Sequence, residues 1–194
     1  MVDRKKIKLR YGINTNHILT VSDSADTEDL ILKNGTLEHA DLSNRTHKNS
    51  YIQACSLSSV NFLCCNLSGS KIDRVIMEDS RLSGIDVTSS ILVDAIFKNC
   101  RINDASFRAA KLKRVVFDEC DLMDASFQSG DLEKVVFRSC NLSQTDFSNA
   151  KFKDIDIKGS RLNGAKFGLE QLQNLTIDQA QATYIALLTG VKID

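Results

Sequence analysis

The sequence predicts an all-β solenoid, a chain wound into stacked four-sided coils, from three observations. Large apolar residues recur at every fifth position from Ile52 to Phe167. The residue two positions before each of them in the chain is mostly small or β-branched. A slower repeat of twenty residues is superimposed on this pattern. Neither a 3.6-residue helix nor a long strand keeps an interval of five residues. Proline is absent from all 194 residues, although average usage of about 5% would supply roughly ten.

Each five-residue unit is expected to be a short extended segment followed by a two-residue corner. The small and large apolar residues of a unit are two positions apart, so strand alternation points both to the same side. The other three positions are mostly charged, amide or hydroxyl residues. The large inward residues run through Ile52, Leu57, Phe62, Leu67, Ile72, Met77, Leu82, Val87, Leu92, Phe97, Ile102, Phe107, Leu112, Phe117, Leu122, Phe127, Leu132, Phe137, Leu142, Phe147, Phe152, Ile157, Leu162 and Phe167.

The twenty-residue repeat indicates four units per coil. Residues 113–122, KRVVFDECDL, are echoed twenty positions later by EKVVFRSCNL. The same step separates three cysteines, Cys100, Cys120 and Cys140. Phenylalanine recurs every ten residues between positions 97 and 147, which places it on two opposite walls of a four-sided coil. Each coil would pair its backbone with its neighbours, and proline would remove a bond from that ladder.

These units resemble the pentapeptide-repeat family, whose consensus is A-(D/N)-L-x-x. The pattern and its drift are visible in Ala40-Asp41-Leu42, Cys140-Asn141-Leu142 and Ala150-Lys151-Phe152, and the resemblance covers residues 30–169. It implies a right-handed quadrilateral β-helix whose coils are about 4.8 Å apart. About seven coils would form a rod roughly 34 Å long.

Residues 1–29 lie outside the repeat and are expected to form an N-terminal cap and connection. The stretch Lys6-Ile7-Lys8-Leu9-Arg10-Tyr11 alternates charged and apolar residues, as a short edge strand does, and residues 22–29 are polar and acidic. A solenoid must cover its ends, because an open end offers unpaired backbone groups to other chains.

Residues 170–194 predict a C-terminal helix and short strand, a possible dimerisation module. Asp178 and Gln181 suit a capping box, Gly190 suits the end of the helix, and Val191-Lys192-Ile193 alternates like a strand. Asp178, Gln181, Ala182 and Gly190-Val191 resemble the tail of mycobacterial fluoroquinolone-resistance members of the family, in which comparable segments join two rods end to end. The expected dimer interface comprises Ile177, Tyr184, Leu187, Leu188 and Val191; packing of this face on the chain's own last coil is the alternative.

Two groups of residues in the repeat could carry chemistry. Five of the six cysteines occupy inward positions without metal-site spacing, which favours buried apolar thiols, whereas Cys64 lies at a corner and is expected to be exposed. Arg45 and His47 occupy inward positions although both are poor core residues. We expect an irregular first coil around residues 43–49 that leaves them solvated, with a functional site there as the alternative.

The sequence predicts no enzyme and no catalytic, cofactor or metal site. It contains no phosphate-binding loop, G-x-G-x-x-G, H-E-x-x-H or G-x-S-x-G motif. With no long apolar run and no apolar stretch behind its first basic residues, the chain is expected to be cytoplasmic. Lys and Arg number 25, as do Asp and Glu, so direct nucleic-acid or membrane binding is not expected.

Charge is distributed unevenly over the predicted walls. Wall A denotes residues 31–34 and the segments at twenty-residue steps from them, ending at 151–154; wall B, adjacent to it, denotes 36–39 and its equivalents, ending at 156–159. Wall A carries nine basic and five acidic residues, and wall B three basic and six acidic. The candidate partner patch on wall A comprises Lys111, Lys113, Arg114, Lys134, Lys151 and Lys153.

Two functions remain open at this point. The first is a rigid protein-interaction scaffold that binds an unidentified protein, since a solenoid offers an extended and pre-formed surface. The alternative, suggested by the quinolone-resistance members of the family, is a DNA mimic that binds a topoisomerase such as gyrase. Duplex DNA carries about one charge per 1.7 Å. Residues 30–169 contain 19 basic and 17 acidic residues, and this balance disfavours mimicry.

Overall fold

The computed structural model describes residues 30–188 and residue 190, and it is a parallel β-solenoid of about seven turns with a short C-terminal helix. The strands are β1 (Ile31–Glu38), β2 (Tyr51–Ser58), β3 (Lys71–Glu78), β4 (Ile91–Val93), β5 (Ile96–Lys98), β6 (Lys111–Lys113), β7 (Val116–Asp118), β8 (Asp131–Glu133), β9 (Val136–Arg138), β10 (Lys151–Lys153), β11 (Ile155–Asp156) and β12 (Leu175–Thr176). The helices are α1 (Leu169–Leu172) and α2 (Gln179–Leu188). The predicted all-β solenoid with a helical tail is confirmed.

The described strand pairs are parallel and join residues twenty positions apart. Leu32 lies beside Ile52, and Phe97 lies beside Phe117. These strands form walls A and B. The other two walls are linked by single bridges, from Asp41–Asn61 to Asp146–Lys166. A coil of four five-residue units is therefore confirmed, and its backbone groups are used by the coils above and below it.

From Phe97 onward the core contains two interleaved stacks of phenylalanine, whereas mainly aliphatic side chains fill the earlier coils. Ring centroids of Phe97, Phe117 and Phe137 are 5.0 and 5.1 Å apart in near-parallel stacking. Phe107 and Phe127 form the second stack at 4.6 Å, and Phe127 meets Phe117 edge to face at 6.2 Å. Each such pair adds about 0.5–1.5 kcal/mol beyond the area it buries. Rings from opposite walls thus stack along the axis in this part of the rod.

Every corner contains a residue in the left-handed region. From Asn34 to Gly164, every fifth residue has φ between +50° and +75°, and most of these residues are not glycine. At one corner Cys65 N–H donates to Phe62 O at 3.0 Å while Cys64 has φ +51°. This is the pattern of a type II turn, which requires positive φ at its third residue. The turn resets the strand phase and so explains the two-residue corner.

The buried polar residues of the small column are hydrogen-bonded within the stack. Ser50 Oγ accepts Leu30 N–H at 2.8 Å, and Ser70 Oγ accepts Ser50 N–H at 2.9 Å. Five cysteines are buried and Cys64 is exposed, as expected. Burial raises the pKa of Cys65 to about 12, so this thiol stays protonated at neutral pH.

The expected irregular first coil around residues 43–49 is wrong. Asn44 N–H donates to Leu63 O at 2.7 Å and His47 N–H to Asn66 O at 2.8 Å, as in later coils. His47 is only 4% exposed, and Arg45 is half-buried. Unwinding this coil would leave several ladder groups unpaired, each costing about 1–3 kcal/mol. The ladder therefore keeps the coil regular and carries both polar side chains inward.

The predicted N-terminal cap (residues 1–29) and the strand at 191–193 lie outside the described residues. Backbone pairing continues beyond residue 169, because β12 pairs with β11 in the register Ile155–Leu175. In the described part of the chain, no helix is long and apolar enough to cross a membrane. The cytoplasmic location and the domain boundaries stay predictions.

Candidate interaction surface

Three of the six patch residues are engaged in ion pairs on wall A. Arg114 forks onto Asp94, with Nε–Oδ1 at 2.5 Å and Nη2–Oδ2 at 2.7 Å. Glu133 lies between Lys113 and Lys153, whose Nζ atoms are 2.8 and 3.8 Å from its carboxylate oxygens. Surface pairs of this kind contribute roughly 0–1 kcal/mol each. Asp94 neutralises Arg114, whereas the single charge of Glu133 offsets only one of the two charges of Lys113 and Lys153.

The other three patch residues add positive charge to wall A that is unpaired in the described part of the chain. Lys111, Lys134 and Lys151 are exposed and form no ion pair within the described residues. Lys111 and Lys151 flank Asp131 in register on β6, β8 and β10. The hydrogen bond from Lys113, with the charges of Lys113, Lys153 and Lys134, holds the pKa of Glu133 below its ordinary value. Positive charge therefore predominates around the Glu133 carboxylate.

Wall A also contains an aromatic feature that the sequence analysis missed. Lys33 Nζ lies 4.9 Å from the centroid of the Tyr51 ring, and Lys71 Nζ lies 5.7 Å from it. The ring and the two ammonium groups come from three successive coils. The available signal was the twenty-residue column Ile31, Tyr51 and Lys71, with Lys33 two positions from Ile31, but only formal charges were counted. The contact adds a cation–π cluster near the N-terminal end of the wall.

The C-terminal end of the rod is closed by two buried glutamines, which sequence reasoning did not assign to the core. Gln171 Nε2 donates to Phe147 O and Ala150 O, each at 2.8 Å. Gln181 Nε2 donates to Ile157 O and Ser160 O, each at 2.7 Å. One amide group thus satisfies two carbonyls that another coil would otherwise satisfy.

Asp178 couples helix α2 to the last coil. Its carboxylate accepts Gly159 N–H at 2.7 Å and Gln181 N–H at 3.0 Å, and Gln181 Oε1 accepts Asp178 N–H at 3.0 Å. The capping box expected at these positions is present. The two accepted N–H bonds, that from Gly159 first, hold the pKa of Asp178 below its ordinary value.

Replacing Gln181 by alanine is expected to loosen α2 by about 1–3 kcal/mol, because it removes the partner of two backbone carbonyls. Amide hydrogen exchange across α2 should then become roughly tenfold faster or more, since about 1.4 kcal/mol corresponds to a factor of ten. Gln179→Ala, an exposed change on the same helix, is the matched control. Equal exchange in both variants would remove Gln181 from this role.

The residues of the predicted dimer interface are divided by the structure. Ile177 and Tyr184 pack against the chain's own core, whereas Leu187 and Leu188 are 55% and 41% exposed. Val191 lies outside the described residues. The intramolecular alternative thus accounts for part of the face, and dimerisation through the tail stays a prediction with Leu187 and Leu188 as its exposed contacts.

Residues 90–167 match a family model described as a pentapeptide repeat region. This segment belongs to the pentapeptide-repeat family. No curated protein sequence gave a significant match.

Several solved pentapeptide-repeat structures are similar to the chain. QnrB1, a plasmid-mediated fluoroquinolone resistance protein, is 17% identical, with 84% of this chain and 99% of that chain covered and a TM-score of 0.36. HetL, a protein involved in heterocyst differentiation regulation from the cyanobacterium Nostoc sp. strain PCC 7120, is 15% identical, with 77% and 87% covered and a TM-score of 0.35. A protein from the Arabidopsis thaliana thylakoid lumen is 15% identical, with 84% and 90% covered and a TM-score of 0.26.

Among the described residues, no three His, Cys, Asp or Glu side chains are grouped so that they could hold a metal ion. The buried thiols donate to backbone carbonyls, as Cys140 Sγ does to Phe117 O at 3.4 Å. The walls carry charged residues at fixed intervals of the repeat.

Proposed function

We propose that this protein is a rigid, non-enzymatic scaffold that binds an acidic surface of another protein through wall A. The observation that carries the proposal is the excess of four positive charges on this wall, of which Lys111, Lys134 and Lys151 are exposed and form no ion pair within the described residues. Their backbones are held by the coil ladder, so little main-chain ordering opposes binding.

Electrostatics on a flat wall favours selectivity and association rate more than affinity. An acidic partner would be steered to the lysines, while the Arg114–Asp94 and Glu133 pairs are already satisfied. Rim-type charges of this kind are salt-sensitive, because they lie in water within a Debye length of about 8–10 Å. The proposal therefore implies a partner that dissociates as ionic strength rises.

The experiment reverses three charges at once. In Lys111→Glu/Lys134→Glu/Lys151→Glu, recovery of co-purifying partners should fall at least about tenfold, because each removed charge contact costs a few tenths to 1 kcal/mol and each reversal adds repulsion. The matched control is Arg81→Glu/Arg101→Glu/Arg161→Glu on the opposite wall, with the same change in net charge. Quantitative mass spectrometry of crosslinked complexes gives the readout. Equal loss of partners in both variants, or loss in neither, would contradict the proposal.

The alternative function, a DNA mimic that binds a topoisomerase, is less well supported. A duplex about 34 Å long carries about 20 negative charges. Wall B offers six acidic residues over the same length, and three basic residues are interspersed among them. Such a mixed wall reproduces little of the potential of DNA, which favours the scaffold.

A further inference from the structure

Wall B carries an outward apolar stripe confined to four coils. Ile76, Ile96, Val116 and Val136 are in register on β3, β5, β7 and β9, each preceding an inward residue. The equivalent residues of the other coils are polar: Thr36, Ser56 and Asp156. Ile96 is only 7% exposed although it points outward, and the other three members are half-buried. A continuous, partly exposed apolar stripe therefore crosses the middle of this wall.

A charge ladder accompanies the stripe in the same four coils. Two residues beyond each stripe residue, on the same outward side, lie Glu78, Lys98, Asp118 and Arg138. The sign alternates at every step, and Lys98 Nζ lies 3.8 Å from Glu78 Oε1. Opposite charges therefore lie one coil apart throughout this column.

The ladder changes sign when its order is reversed. Consider a two-fold axis in the plane of the wall, perpendicular to the rod and level with the midpoint between Lys98 and Asp118. It places Glu78 of one copy opposite Arg138 of the other, and Lys98 opposite Asp118. The same axis places the apolar stripe of one copy against the stripe of the other, with Ile96 opposite Val116. We propose that wall B binds wall B of a second, antiparallel copy of this chain, a contact separate from wall A and from the C-terminal tail.

The charges would also determine the register of this pairing. A slip by one coil would place Lys98 opposite Lys98 and Glu78 opposite Asp118. Like charges brought together in this way oppose association. A slip by two coils would again pair opposite charges, but for two of the four ladder residues only, so the centred register is the most favourable. The apolar stripe supplies the attraction and the ladder supplies the alignment.

The contact is small. Stable dimers bury about 800 Å² per partner, and a single wall about 34 Å long and one strand segment wide provides less. The association should therefore be weak and reversible. It should be sought by sedimentation at protein concentrations from about 10 µM to about 1 mM, where interfaces below the standard size are populated.

A charge swap tests the proposal. Lys98→Glu and Asp118→Lys should each reduce the association constant at least about tenfold, because each creates two like-charge contacts across the two-fold axis. The double variant Lys98→Glu/Asp118→Lys restores opposite charges between copies and should recover association to near the original level. Within one copy it instead places the introduced carboxylate beside Glu78 and the introduced ammonium group beside Arg138. Rescue in the double variant therefore reports pairing between copies and not repair of the column.

Two further variants complete the design. Arg108→Glu, an exposed change on the wall opposite wall B, changes charge by the same amount as Lys98→Glu and should leave association unchanged. Leu187→Ser/Leu188→Ser removes the exposed leucines of the tail and should leave this contact intact. The proposal is overturned by a monomeric native protein at every concentration, by a double variant as weak as the single ones, or by association that disappears only in the leucine variant.

Discussion

Replacing Phe117 by alanine is expected to lower the free energy of unfolding by about 3–5 kcal/mol. Phe117 is fully buried, stacks between Phe97 and Phe137, and meets Phe107 and Phe127 edge to face. Neighbouring coils are held at the spacing of paired strands, so the walls cannot collapse into the cavity. Urea unfolding followed by circular dichroism gives the measurement, with the midpoint and the slope compared between variants.

Phe167→Ala is the matched control at the end of the same interior. Phe167 is half-buried and has a stacking neighbour on one side only, Phe147 at 5.0 Å. Its removal should cost less than half as much as that of Phe117, because the terminal coil can relax and admit water. If both variants lost the same free energy of unfolding, the position of Phe117 between two stacked rings would contribute nothing to stability.

The fold could be predicted because the five-residue repeat of the sequence corresponds to one structural unit, a single side of a coil. Each five-residue unit brings its own inward pair and its own turn, so the phase from Ile52 to Phe167 carries directly into coils. His47 shows the limit of residue-by-residue judgement. A polar side chain in an inward position suggested an irregular coil, but the ladder formed with residues twenty positions away outweighs one unsuitable side chain.

For the surface, the sequence predicted only the net charge of each wall. The assignment of residues to walls gave the excess of charge on wall A, but not that Arg114 forks onto Asp94 or that Glu133 is shared by two lysines. Such pairs depend on rotamers of residues one coil apart. The plug formed by Gln181 was missed for a related reason, because its partners Ile157 O and Ser160 O are backbone atoms without a sequence signal.

Introducing proline into the ladder is expected to have the second large effect. Val116 N–H donates to Ala95 O at 2.9 Å in the middle of the rod. Val116→Pro removes this donor, leaves the carbonyl without its partner and pushes the proline ring toward the neighbouring coil. The expected cost is about 3 kcal/mol or more, measured as a shift of the urea midpoint. Val116→Ala, which keeps the N–H, separates this backbone effect from loss of the side chain.

Met123→Pro distinguishes the ladder from a general intolerance of proline. Met123 is the second residue of the turn closed by Ala125 N–H donating to Leu122 O, where proline's φ of about −65° suits the backbone. Its own N–H makes only a 3.3 Å contact with Asp121 Oδ1. This variant should lose less than about 1 kcal/mol, because one weak, exposed hydrogen bond is removed. If Met123→Pro lost as much stability as Val116→Pro, the absence of proline from the sequence could not be attributed to the ladder. The corners would then also have to be intolerant of proline.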